Sequence, residues 1–212
     1  LTFTLFERIN PRTTSTYTDY HFPQLLSDGR IVVTKSGIGD IDQLVALSPD
    51  GEEEKVYVQG IVNESGMLSA NKDRVVWNEY RYNPRWRVKN YSVIMGYDVL
   101  SGRAGAITRH SRYSGAALAP DGIRVATIET QLDYSIRLVI INYADGSAFK
   151  VFDNPGNDLL AMPRWTQDGK SVALLRTNKE GKTISLVNAE TGLVTDLFPR
   201  SMENVGHPVP WS

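Results

Sequence analysis

Thiols are absent from this chain and histidines are few, since its 212 residues include no cysteine and only three histidines. The lack of cysteine excludes disulfides, zinc-thiolate sites and cysteine nucleophiles. His21, His110 and His207 lie far apart, and none has the second histidine three to five residues away that a local zinc pair needs. The Gly-x-Ser-x-Gly motif of serine hydrolases is missing as well. The sequence therefore predicts no catalytic residue in this chain.

The chain also lacks long hydrophobic runs and an excess of charge of either sign. No stretch approaches the 18 apolar residues of a membrane-spanning helix, so no transmembrane segment is predicted. The 23 basic residues nearly balance the 24 acidic ones, and this balance does not favour nucleic acid as a partner. No convincing amphipathic pattern for a helix of ten or more residues is present, which argues against an α/β fold.

What the sequence does contain is one motif repeated four times, in which an apolar segment ends in a turn. The regular copies end in Asp-Gly at Gly29, Gly122 and Gly169, and a degenerate copy ends at Asp73. In chain order, positions 29, 73, 122 and 169 are 44, 49 and 47 residues apart. A second series of turns, with glycines at positions 51, 102, 146 and 192, has spacings of 51, 44 and 46. Periods of this size are typical of propellers and solenoids.

The segments beside these turns are short and rich in β-branched and aromatic residues, as strands are. Strands that follow the first turn of each unit are predicted at 30–34, 74–77, 124–128 and 171–175. Each unit contains two such strand pairs, so each is predicted to form one four-stranded antiparallel sheet. Such sheets cover their hydrophobic faces by stacking radially, and the predicted fold class is therefore an all-β propeller.

One copy of the motif is especially informative. Residues 163–169 read Pro-Arg-Trp-Thr-Gln-Asp-Gly, a strand begins with Lys170-Ser171-Val172, and the unit ends in Thr191-Gly192. This pattern resembles the TolB-like β-propeller repeats of bacterial envelope proteins, over roughly residues 20 to 212. The resemblance implies four-stranded antiparallel blades and a periplasmic or cell-envelope location. Lys72-Asp73 departs from the pattern, so the first turn of the second unit is expected to be of another type.

The repeat predicts the organisation of the whole chain, residues 1–212, as one propeller domain or a piece of one. The predicted parts are a partial blade at 1–19, blades at about 20–60, 61–112, 113–157 and 158–205, and the start of a further blade at 206–212. Trp211 follows Trp165 by 46 residues and so occupies the same place in the repeat. The TolB-like family usually has six blades of about 45 residues. We therefore expect a piece of a longer propeller, with a small five-bladed ring as the alternative.

The second unit contains a segment that is longer than the fold requires. Its two turns are 29 residues apart, against 22, 24 and 23 in the other units. The candidate interaction residues in this insertion are Tyr80, Arg81, Tyr82, Arg85, Trp86, Arg87 and Lys89. Aromatic and cationic residues are enriched at binding hot spots and stack on peptides, sugars or bases. The same alternation also suits a long hairpin whose aromatic rings pack on a neighbouring blade under the arginine stems.

Two other groups of polar residues have some features of metal sites. His21 and His207 lie near the starts of innermost strands, where propeller lyases hold a metal, yet a site needs more ligands than two strands offer. Asp40 and Asp42 alternate as calcium ligands do, but the loop around them supplies no further ligands. Neither a metal nor a cofactor is therefore predicted.

The sequence favours a non-catalytic module that binds a protein or peptide and presents the segment 80–90 to this partner. The module is expected to be part of a larger bacterial envelope protein. One alternative is the substrate-gating propeller of a peptidase or hydrolase whose catalytic domain lies outside this chain. A propeller lyase or a glycan-binding protein is the other, because the fold serves many functions. An open propeller leaves two sheet faces uncovered, so self-association is also expected.

Overall fold

The structure is a computed structural model that describes residues 17–38, 40–62, 68–86, 90–203 and 208. In these residues the chain forms sixteen strands and no helix. The strands make four separate sheets of four, and each sheet contains consecutive strands paired antiparallel in sequence order. The predicted all-β propeller with four complete four-stranded blades is thereby confirmed.

The strands are assigned to the four sheets as follows. The first sheet contains β1 (Thr18–Leu25), β2 (Ile31–Gly37), β3 (Asp40–Leu47) and β4 (Glu53–Val58). The second contains β5 (Ser69–Asn71), β6 (Arg74–Tyr82), β7 (Asn90–Asp98) and β8 (Arg103–Ala106). The third contains β9 (Tyr113–Leu118), β10 (Arg124–Thr130), β11 (Ile136–Asn142) and β12 (Ala148–Phe152). The fourth contains β13 (Leu159–Trp165), β14 (Ser171–Asn178), β15 (Gly181–Asn188) and β16 (Val194–Asp196).

The repeated Asp-Gly turns have the same backbone geometry in the three regular units. In the third unit the Gly122 N–H donates to the Ala119 carbonyl at 2.8 Å, with Gly122 at a φ of 72° that a side chain would strain. The second unit differs, as expected. Its turn has only two residues, Lys72 and Asp73, between the paired residues Asn71 and Arg74.

The hydrophobic core lies between neighbouring sheets. One cluster joins the first two sheets around Val32 and the fully buried Trp77, and another joins the last two around Ile128 and Trp165. The Trp165 indole N–H donates to the carbonyl of Ala117 at 3.0 Å, so this ring also fixes one sheet to the next through a hydrogen bond. Stacking of sheets thus buries the apolar faces that a single sheet leaves exposed.

The first strands of the four sheets, β1, β5, β9 and β13, contact one another in sequence and are the innermost strands. Three of them contain a bulge at a residue with left-handed φ: Phe22 at 57°, Gly115 at 68° and Met162 at 56°. Each of these residues lies seven positions before the turn glycine of its unit. The bulge is therefore part of the repeat, although two of the three residues are not glycine.

Antiparallel pairing gives the propeller two distinct ends. The turns after the first and third strands of each sheet lie at one end, which we call the turn end, and they include all the Asp-Gly turns. The loops after the second strands, and the connections between sheets, lie at the opposite end, which we call the loop end. The segment 80–90 belongs to the loop end.

The predicted division of the chain into blades stays a prediction. The predicted partial blades at 1–19 and 206–212 lie largely outside the described residues, as do His207 and Trp211. Within the first of these segments, Thr18 and Asp19 belong to β1.

Candidate functional site

The insertion in the second unit is a hairpin that extends beyond its neighbours. Strands β6 and β7 have nine residues each and pair without interruption from Arg74 opposite Asp98 to Tyr82 opposite Asn90. The corresponding strands of the third sheet have seven residues each. Each added residue lengthens a strand by about 3.4 Å. The hairpin tip therefore reaches further from the loop end than the equivalent loop of the next sheet.

The predicted interaction residues fall into two groups along this hairpin. Tyr80 and Arg81 are half-buried near the foot, whereas Tyr82 is 52% exposed and Trp86 is 58% exposed near the tip. Arg85 is exposed as well, and its guanidinium lies 5.7 Å from the centre of the Trp86 ring. Arg87 and Lys89 lie outside the described residues.

The tip has a defined backbone turn. The side-chain carbonyl of Asn83 accepts hydrogen bonds from the backbone N–H groups of Arg85 at 2.9 Å and Trp86 at 3.1 Å. This arrangement is an Asx-type turn, in which a short amide side chain substitutes for a backbone acceptor. It fixes the direction in which the chain carries Arg85 and Trp86.

A fully buried carboxylate, that of Glu79, holds the foot of the hairpin. Its Oε1 accepts from the indole N–H of Trp77 at 2.9 Å and from the backbone N–H of Gly60 at 3.0 Å. Its Oε2 lies 2.8 Å from Nη2 of Arg81. The backbone N–H of Tyr80 also donates to the carbonyl of Ile61 at 2.7 Å. Two hydrogen bonds, Gly60 to Glu79 and Tyr80 to Ile61, thus tie the connection from the first sheet to the hairpin, while the contacts of Glu79 with Trp77 and Arg81 lie within β6.

Glu79 was not among the residues predicted from the sequence. The sequence nevertheless contained an indication of the role of Glu79, because residues 77, 79 and 81 alternate onto one face of the strand. A carboxylate between a tryptophan and an arginine on an otherwise apolar strand face is unusual, since buried charges require partners.

Beside the hairpin, the second and third sheets enclose a cleft of about 220 Å³. Six of its lining residues are Tyr80, Tyr91, Ser92, Arg112, Tyr113 and Thr130. Tyr80 is the member that the sequence singled out, and Tyr91, Arg112 and Tyr113 were missed because they become neighbours only when two sheets pack. Burial, with the nearby Glu129 carboxylate as a second cause, raises the pKa of Tyr113 above its ordinary value.

Large apolar side chains are exposed on several loops of the loop end. Besides the hairpin tip, the exposed residues include Ile38, Ile61, Leu132 and Tyr134. Apolar residues that are exposed singly are common on protein surfaces, so these loops do not by themselves indicate an interaction surface.

A second cavity, of about 590 Å³, lies on the inner side of the propeller near the turn end. All four sheets contribute to its wall, through residues that include Phe22, Ala70, Leu118 and Arg164. Burial lowers the pKa of the Arg164 guanidinium. An arginine nevertheless stays charged, so the wall of this cavity carries a positive group.

Comparison with solved structures identifies the architecture. No protein-family model and no curated protein sequence matches this chain. The structure of TolB from Acinetobacter baumannii superposes with a TM-score of 0.66 at 18% identity, over 85% of this chain and 44% of that protein. This chain has the TolB-like β-propeller fold.

Two enzymes superpose with lower TM-scores. An oligogalacturonate lyase in complex with manganese gives a TM-score of 0.61 at 19% identity, over 83% of this chain and 52% of the lyase. The acylaminoacyl peptidase of Pyrococcus horikoshii gives 0.56 at 11% identity, over 88% of this chain and 33% of the peptidase. At these identities the likeness concerns the fold alone, and the chain spans about half or less of each of these proteins.

Two of the three histidines, His21 and His110, contact other side chains of this TolB-like propeller. His21 Nε2 lies 3.1 Å from the Asp19 carboxylate, and the His110 ring meets the Tyr91 ring edge-on at 4.7 Å. Among the described residues, no group of three or more histidine, aspartate or glutamate side chains is arranged to hold a metal ion. The same part of the chain contains no helix that is able to cross a membrane.

Proposed function

We propose that this chain is a non-catalytic, protein- or peptide-binding TolB-like propeller module of a larger bacterial envelope protein, and that it binds its partner with the loop end. One observation carries the proposal. The hairpin of β6 and β7 places Tyr82 and Trp86 in solvent at its tip while Glu79 fixes its foot.

This arrangement suits binding for two physical reasons. Tyrosine, tryptophan and arginine are enriched among the residues that contribute most to binding at protein interfaces, and the two aromatic residues bury large areas at a small cost in conformational entropy. A hairpin that is already ordered before binding loses little further entropy when a partner arrives. Rings that are more than half exposed contribute little to folding, so their place at the tip has no adequate structural explanation.

A periplasmic or cell-envelope location is part of the proposal. It is supported by the likeness of the fold to that of TolB from Acinetobacter baumannii and by the repeat motif at residues 163–169. The test is to fractionate source cells that produce the full-length protein and to detect it in each fraction with an antibody against this chain. Recovery in the cytoplasmic fraction alone would contradict the location.

The binding proposal is tested with a partner that is first isolated on the immobilised chain and then purified. Tyr82→Ala combined with Trp86→Ala is expected to weaken its binding at least tenfold by titration calorimetry. Leu100→Ala is the matched control, because Leu100 is an exposed apolar residue of the turn end. Equal affinity for the double variant and the wild type would remove the hairpin tip from the proposal.

A second candidate function is a substrate-gating propeller of a peptidase or hydrolase. The observation that favours it is the inner cavity, to which all four sheets contribute and which holds the cationic Arg164. In this case the full-length protein is expected to cleave peptide substrates, and Arg164→Gln should change its selectivity for acidic substrates. The binding-module proposal instead expects no hydrolysis by the full-length protein.

A further inference from the structure

The cleft between the second and third sheets, beside the hairpin, has walls that are held together. Tyr80 and Tyr91 lie on one wall, while Arg112 and Tyr113 lie on the other. Ser92 bridges the walls, because its backbone N–H donates to the carbonyl of Ser111 at 2.9 Å and its hydroxyl donates to the carbonyl of Tyr113. The cleft is therefore formed before any ligand arrives.

The cleft carries a positive charge that the protein itself does not balance. Arg112 is exposed, and its Nε donates to the carbonyl of Thr130 at 2.9 Å, which fixes the side chain against the third sheet. No carboxylate forms an ion pair with Arg112 among the described residues, and none of those that line the cleft is acidic. The acidic residue nearest in the strand pairing, Glu129, is bonded to Arg137 at 2.7 Å.

Three tyrosines line the cleft together with Arg112. Tyr80, Tyr91 and Tyr113 are half-buried, and in the described part of the chain none of their hydroxyls makes a hydrogen bond. Half-buried tyrosine hydroxyls usually find a partner. A guanidinium and phenol O–H groups that line one cleft are donors for an anionic oxygen, and hydrogen bonds to an ionised group are roughly twice as strong as neutral ones.

The size and the surroundings of the cleft indicate which anion fits. A volume of about 220 Å³ accommodates a side chain better than several linked sugar rings. The exposed Tyr82 and Trp86 lie on the same hairpin as Tyr80 and offer contacts for apolar neighbours in the ligand. An extended peptide supplies an acidic side chain and apolar neighbours together.

We propose that this cleft binds the side-chain carboxylate of an aspartate or glutamate in an extended segment of the partner, with Arg112 as its ion-pair partner and the hydroxyls of Tyr80 and Tyr113 as donors. The inference rests on the proposed binding function and adds the chemistry that the partner must present. The partner segment is accordingly acidic at one position and apolar beside it.

The test uses peptides selected from a random hexapeptide display library on the chain, then synthesised with acetylated and amidated ends so that only side chains are charged. The best binder is compared with the version in which its acidic residue is replaced by the isosteric amide. Each is titrated by fluorescence anisotropy against the wild type, Arg112→Gln, Tyr113→Phe and Arg109→Gln. Arg109 is the matched control, since it is exposed on the same connection and does not line the cleft.

The proposal expects acidic residues to be enriched in the selected peptides. It also expects Arg112→Gln to weaken the binding of the acidic peptide at least tenfold and to leave the affinity for the amide peptide unchanged. The loss of affinity for the acidic peptide should be larger with Arg112→Gln than with Arg109→Gln. Equal losses for the acidic and amide peptides, or equal effects of the two arginine variants, would overturn it. If Tyr82→Ala with Trp86→Ala still abolished binding in that case, the proposed function would survive without this inference.

Two further outcomes count against both proposals. The first is selection of no peptide at all. The second is binding of a galacturonate trimer that depends on Arg112 while peptides fail, which would assign the cleft to an acidic glycan.

Discussion

The carboxylate of Glu79 lies 2.8 Å from the guanidinium of Arg81, and of this pair only the arginine reaches solvent. The buried partner also accepts hydrogen bonds from Trp77 and Gly60, so one side chain connects the strand, the hairpin and the preceding connection. The stability of the proposed binding hairpin therefore depends on a single acidic residue at its foot.

Replacing Glu79 by alanine is expected to destabilise the chain strongly. The change leaves the Trp77 indole N–H and the Gly60 N–H without an acceptor, and each unsatisfied buried donor costs about 1–3 kcal/mol. Urea denaturation followed by tryptophan fluorescence measures the loss in free energy of unfolding. Glu54→Ala is the control, because Glu54 pairs with Arg30 at the surface, where such pairs contribute about 0–1 kcal/mol. Similar losses for the two variants would contradict the role of Glu79.

Gly60 is expected to tolerate no side chain. A Cβ at this position would lie 2.7 Å from Oε2 of Glu79, whereas one at Gly105 would meet nothing within 4 Å. Gly60→Ala should therefore cost about 1–3 kcal/mol, as overpacking does. Gly105→Ala should be close to neutral. Thermal unfolding of the two variants side by side checks this, and an unchanged midpoint for Gly60→Ala would refute the close packing.

The hairpin tip is expected to contribute almost nothing to stability. Tyr82 and Trp86 are more than half exposed, and surface substitutions usually stay within about 0.5 kcal/mol. Trp77→Ala, by contrast, removes a fully buried ring and should cost about 3–5 kcal/mol. The free energies of unfolding of Tyr82→Ala, Trp86→Ala and Trp77→Ala make the comparison. A large loss at the tip would favour the alternative that these rings pack on a neighbouring blade.

Alkaline pH is expected to weaken the fold through Tyr143. Burial raises the pKa of this tyrosine to about 12, and the Arg74 guanidinium lies 4.5 Å from its ring. In the unfolded chain a tyrosine ionises near pH 10. The stabilising contribution is therefore complete below about pH 10 and is lost as the pH rises from there to about 12, because only the unfolded state releases its proton.

The measurement is the free energy of unfolding of the wild type and of Tyr143→Phe between pH 8 and pH 11. The decline above pH 10 should be shallower in the variant. Tyr97 and Tyr113, whose pKa values burial also raises, keep part of the slope. Identical slopes would show that Tyr143 ionises equally easily in both states.

The repeat made the fold accessible from the sequence. The spacing of Gly29, Gly122 and Gly169 predicted four sheets of four strands, because these glycines mark turns whose backbone conformation few other residues adopt. The extra length between Asp73 and Gly102 predicted the insertion, and a long hairpin was one of the two interpretations that it allowed. Local sequence carries this information because turns and strand pairs are formed by residues close along the chain.

The rest depended on packing between sheets, which local patterns do not specify. Tyr91, Arg112 and Tyr113 line the cleft only because two sheets stack in a particular register. The left-handed backbone at Phe22 and Met162 was also missed, since neither residue type favours that conformation. The binding role of Tyr82 and Trp86, and the self-association expected from uncovered sheet faces, stay predictions.

The outermost strands of the sheets have a further consequence, for aggregation. β8 (Arg103–Ala106) and β16 (Val194–Asp196) have only four and three residues, and β4 begins with two glutamates followed by a lysine. Edges that are this short or this charged give another chain little backbone on which to add a strand. Fibril growth by edge-to-edge pairing is therefore disfavoured at the outer edges of the first, second and fourth sheets.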